Sequence, residues 1–75
     1  MQRVVIAVEG GVVQTVCADG PVDVLIIDYD TEGVPDRDIG TGPGGDSCLF
    51  FRPVVLESRH ETDECYRTYR EWREE

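Results

Sequence analysis

Apolar and polar positions alternate from the start of the chain, and two adjacent glycines interrupt the alternation. Residues 3–8, RVVIAV, and 12–18, VVQTVCA, are rich in β-branched side chains and flank Gly10-Gly11. This predicts a hairpin with strands over 3–9 and 12–18, because a two-residue turn between strands favours residues that accept positive φ. A second turn signal, Ala18-Asp19-Gly20-Pro21, leads into PVDVLIIDYD, which predicts a third strand over 22–30. Here Val22, Val24 and Ile26 point one way while Leu25, Ile27 and Tyr29 point the other. Apolar residues on both faces suit a central strand, or one with a face closed by a partner subunit.

The pattern is lost over 31–47, TEGVPDRDIGTGPGGDS, where glycines, Pro35 and Pro43 predict a long acidic loop. A loop of that length in a small domain is either functional or mobile. An extended pattern resumes over 48–57, and Pro53, which has no N–H for a ladder, predicts an edge strand or a bulge there. Helical spacing then governs 59–74. Ser58 and Glu61 form an S-x-x-E capping box at its start. Thr62, Cys65, Tyr66, Tyr69 and Trp72 share one face, read as the surface that packs on the sheet. Asp63–Arg67 and Arg70–Glu74 are i,i+4 pairs on the opposite side. The expected fold is α+β: one domain over residues 1–75, an antiparallel meander of three strands, a fourth edge strand, and one C-terminal helix packed on a face.

Composition sharpens this picture. A chain of 75 residues buries only about 60% of its unfolded surface, so a core this small usually needs a supplement such as self-association. Cys17, Cys48 and Cys65 are odd in number and widely spaced, which is not a disulfide framework. MQRVVIAVEGG lacks the pattern of a secretory leader and no apolar run approaches a membrane span, so a cytoplasmic protein with reduced thiols is expected. Sixteen acidic residues against seven arginines and no lysine give a net charge of −9. A domain this acidic repels nucleic acid and anionic membrane and attracts basic surfaces.

Several motifs suggest chemistry and fail on inspection. Gly40, Gly42 and Gly45 satisfy G-x-G-x-x-G, but Pro43 lies inside the motif and the segment that follows is extended, not helical. Compared with a P-loop, Asp46 occupies the lysine position, which opposes phosphate. The glycines read as a flexible connection. Asp28, Asp30, Glu32 and Gly33 spell the first half of an EF-hand loop, yet Ile39 stands where the bidentate glutamate is needed. His60 and the three cysteines lack the short spacing of zinc ligands. With one histidine and no nucleophile elbow, no enzyme activity, cofactor or metal site is expected.

The acidic segment is the informative feature. Asp28, Asp30, Glu32, Asp36 and Asp38 crowd eleven positions with one arginine, Arg37. If the third strand continues through Asp28, Asp30 and Glu32, these carboxylates share one face, about 6.6 Å apart at strand rise. Such a row resembles a nucleic-acid backbone and suits a protein that grips phosphates with Arg and Lys. Asp19 and Asp23 extend the expected partner-binding set.

The opening, VVIAVEGGVVQTVCADGPVDVLIIDYD, resembles short proteins of bacteria, phages and integrated elements that begin with a V-x-V-x-G-G-V-V-Q hairpin followed by a V-I-D-x-D strand. The resemblance covers roughly the first thirty residues and implies the meander, with no chemistry to carry over. In type (tiny, acidic and compact) the chain also resembles the anti-CRISPR proteins of phages, which have no shared motif and often occlude a DNA or PAM site with an acidic surface. The function expected is inhibition of a basic nucleic-acid-handling complex by DNA mimicry, without direct nucleic-acid or membrane binding. The alternative is a self-associating, homodimeric accessory protein of a mobile element, and the third is a weak divalent-cation module.

Overall fold

The computed structural model describes residues 2–74. The α+β class with a single C-terminal helix holds, and the residues fall into two compact units. The first runs to Asp23 and resumes at Val54; the second spans Val24–Pro53.

The first unit is built on the predicted hairpin. Strand β1 (Val4–Glu9) pairs antiparallel with β2 (Val12–Ala18). Gly10 and Gly11 have φ of 57° and 77°, a turn that side chains with a Cβ rarely adopt. Pairing shifts from Ala7↔Thr15 to Val8↔Val13, so Gln14 is an extra residue on β2 and forms a bulge. On its other edge β2 meets β6 (Val55–Glu57) in parallel, giving the order β1-β2-β6.

Helix α1 (Arg59–Arg73) starts at Ser58, whose Oγ accepts from Glu61 N–H at 3.1 Å. Only this half of the capping box forms as expected: Ser58 N–H donates to Ala18 O at 2.9 Å, tying the helix start to the end of β2. The centre of the unit is Val16, Cys17, Ala18 and Thr62. Thr62 Oγ1 donates to Ser58 O at 2.8 Å and lies 3.7 Å from Cys17 Sγ. The expected apolar stripe is therefore buried only at its first member. Tyr66 is half-buried, while Tyr69 and Trp72 are 53% and 70% exposed.

The second unit holds the strand expected over 22–30, which pairs elsewhere than in a meander. Only Ile26–Asp28 is extended in a ladder (β3), and it pairs antiparallel with β5 (Ser47–Phe51), not with β2. The parallel β6 occupies that edge of β2 instead. The expected strand 48–57 is two strands: Pro53 lies between β5 and β6, where a missing N–H ends the ladder.

The stretch 31–47 is likewise not structureless. It contains a one-turn 3-10 helix, Asp36–Asp38, and β4 (Gly40–Thr41), which pairs with β5 to give the order β3-β5-β4.

Candidate functional site

The acidic segment lies in the second unit, but not as a row at strand pitch. Asp28 ends β3 because its Oδ1 accepts Asp30 N–H at 2.9 Å; Asp30 Oδ1 then accepts Glu32 N–H at 3.2 Å. An aspartate that bonds the backbone two residues on offers the chain a turn in place of a ladder. Two such turns in succession replace the expected extension through Glu32. Thr31 O accepts Val34 N–H at 3.2 Å, and Asp36 and Asp38 follow on the exposed 3-10 turn. Asp30, Glu32, Asp36 and Asp38 are all exposed, and Asp28 is half-buried.

The two remaining expected partner-binding residues belong to the first unit. Asp23 is exposed. Asp19 is committed to structure: its side chain is 10% exposed, with Oδ1 accepting Arg3 N–H and Oδ2 accepting Arg3 Nε, each at 2.9 Å. These bonds, the backbone one first, hold its carboxyl below the usual aspartate range.

Arg3 is the residue that local spacing does not reveal. Its guanidinium also pairs with Asp63 and sits 4.8 Å over the Tyr66 ring, so one side chain joins β1, the end of β2 and α1. Asp63 thus pairs with Arg3 and not with Arg67, which turns to Glu64 and Glu71. Bonds to Asp63 first and Asp19 second raise the Arg3 pKa further.

The glycine motif is a hairpin between β4 and β5. Gly42 N–H donates to Asp46 O at 2.8 Å and Gly45 N–H to Gly42 O at 2.9 Å, so two amides that a phosphate would need are already used. Gly45 has φ 91°, and a Cβ on Gly42 would lie 2.8 Å from the Tyr29 hydroxyl. The glycines thus meet a turn conformation and a close approach, and the connection expected here is a hydrogen-bonded turn.

All three cysteines are free. Cys65 and Cys17 line one groove on the helix side of the first unit's sheet, with Val5, Leu56 and Val54. Desolvation, then the neighbouring Cys17, push the Cys65 thiol up. Among the described residues no three His, Cys, Asp or Glu side chains come together to hold a metal, and His60 is exposed on the first turn of α1. No helix among them is long and apolar enough to cross a membrane.

The least ordinary property of the surface is apolar. Four apolar side chains are buried among the described residues, whereas twelve large apolar or aromatic ones are exposed. A soluble monomer rarely leaves contiguous apolar patches open. In the first unit these include Ile6 and Val8 on β1, Leu56 on β6, and Tyr69 with Trp72, whose rings lie 6.4 Å apart. No family model, curated protein or solved structure matches the chain.

Proposed function

We propose that the protein is a non-enzymatic interaction module whose apolar surfaces are completed by another protein. The observation that carries this is the exposure of twelve large apolar or aromatic side chains among the described residues, where only four apolar side chains are fully buried and the others, such as Val4, Val13 and Ile26, are half-buried. Hydrophobic burial is the main stabilising term, and a core this small leaves it largely unrealised in the isolated chain. The three free cysteines suit a reducing compartment, so the module works in the cytoplasm. The test is binding of an apolar-surface dye by the purified chain, followed by affinity capture from bacterial lysates at low and high salt. Strong dye binding and one stoichiometric companion retained at high salt are expected. Absence of dye binding by a folded monomer overturns the reading.

A second reading, inhibition of a basic nucleic-acid-handling complex such as a CRISPR effector, is favoured by the exposed carboxylates between Asp28 and Asp38. The carboxylates stand at successive turns, so the mimicry would be of charge density and not of strand-like spacing. Complementary charge speeds association and loses strength as salt rises. The discriminating variant is Asp28→Asn with Asp30→Asn, because an amide oxygen can still accept the backbone N–H while the charge is gone. Loss of a salt-sensitive, DNA-displaceable companion with the circular dichroism unchanged is the expected result. Undiminished capture by this variant excludes mimicry.

A further inference from the structure

Strand β1 pairs with β2 along one edge, and no strand among the described residues pairs with the other. Its sequence, VVIAVE, carries no lysine, proline or glycine, and the bulge lies on β2, so β1 itself is regular. Proteins usually blunt an exposed edge with one of those devices, because a bare edge templates pairing with another chain. We propose that this edge pairs antiparallel with β1 of a second copy about a two-fold axis through Ile6.

The direction of the backbone groups supports the pairing. Asp19 N–H donates to Arg3 O at 3.3 Å, so the Arg3 carbonyl faces β2. Directions alternate along an antiparallel strand, which leaves the N–H and C=O of Val4, Ile6 and Val8 pointing outward. In the register centred on Ile6, Val4 stands opposite Val8 of the second copy and Ile6 opposite Ile6. The same register runs Arg3–Glu9 against its own copy over the full length, so no residue of the segment is left over. A slip of two residues one way leaves Val8 and Glu9 without partners; the other way it sets Glu9 against Val5. Each slip shortens the paired length.

Two further features accompany the bare edge. Ile6 and Val8 are 44% and 62% exposed. Beside β1 a hollow opens between the strand and α1, lined by Val4, Val5, Ile6, Cys65, Tyr66 and Tyr69. Extending a sheet by antiparallel pairing keeps its faces, so α1 of the second copy arrives on the same side. Pairing then covers the hollow and brings the exposed Tyr69 and Trp72 toward an apolar neighbour. Each copy carries a charge of −9, so their mutual repulsion weakens as salt screens it, and the dimer should tighten at high salt.

This inference rests on the reading of the protein as an interaction module, and the test separates the two. Sedimentation equilibrium should give twice 8.4 kDa for the wild-type chain. Ile6→Lys should give a monomer with unchanged circular dichroism, and Val12→Lys, away from the edge, should leave the dimer intact. A mutation-free measurement guards against misfolding: amide exchange at Val4, Ile6 and Val8 should slow as protein concentration rises, while Val5 and Ala7 stay constant. Concentration-independent exchange at all five, or a dimer that survives Ile6→Lys, overturns the edge pairing. A wild-type monomer that still binds apolar dye overturns it too, yet leaves the interaction module standing.

Discussion

The guanidinium of Arg3 lies 4.8 Å above the ring of Tyr66, sixty-three positions along the chain, and the same group is bonded to Asp19 and Asp63. A planar fork can satisfy two carboxylates and an aromatic face together, which a lysine ammonium cannot. Arg3→Lys should therefore fail to restore the melting temperature lost in Arg3→Gln. The near-ultraviolet signal of Tyr66 should fall in both variants. Full rescue by lysine would mean that charge alone matters at this position.

Asp19 makes stability depend on pH on the acid side. Its folded pKa is lowered by the Arg3 N–H and guanidinium, whereas the unfolded chain has an ordinary value of about 3.9. As pH falls, the unfolded state takes up the proton first. The contribution is therefore complete above the unfolded pKa and disappears as pH drops through the folded one. Acid titration followed by circular dichroism should show a transition below about pH 4 that flattens in Asp19→Asn.

Ser58 caps α1 through its side chain while its own N–H is held by Ala18 O. Ser58→Ala should cost about 1 kcal/mol in chemical unfolding. Glu61→Ala should cost less, since the reciprocal half of the box is replaced by the bond to β2. Equal losses would show that the glutamate is part of the cap.

The turn at Gly10-Gly11 tolerates few replacements. Gly11 has φ 77°, and Gly11→Ala should destabilise by about 1–2 kcal/mol, with Asn milder because it tolerates the left-handed region. Nothing lies near either glycine, so the loss measures backbone conformation and not a clash.

Desolvation and Cys17 disfavour the thiolate of Cys65. Thiolate is the reactive form, so alkylation of the folded chain near neutral pH should be slower at Cys65 than in the denatured protein. Mass-spectrometric site counting during a timed pulse reads this directly. Faster labelling in the folded state would indicate an activated thiol.

Local physics was legible from the chain itself. Positive φ at adjacent glycines specifies the first hairpin, Ser58 followed by helical spacing specifies α1, and Pro53 marks a break in a ladder. Each acts within a few residues through backbone dihedrals or a single missing donor. The failed nucleotide motif belongs here too, because a phosphate site needs a following helix and Ser47–Phe51 is strand. Asp28 and Asp30 carried a readable signal for turns, but period-two spacing reads equally as a strand, and only the side-chain bonds decide between them.

Tertiary structure decided the partners. Whether β2 takes Ile26–Asp28 or Val55–Glu57 beside it is a competition between distant segments with similar β-branched character, and no local feature ranks them. The same holds for Asp63, which has arginines at helical spacing yet bonds one sixty positions away. It also holds for Tyr69 and Trp72: their spacing fixes the face of the helix they occupy, while only the folded chain decides that they stay exposed.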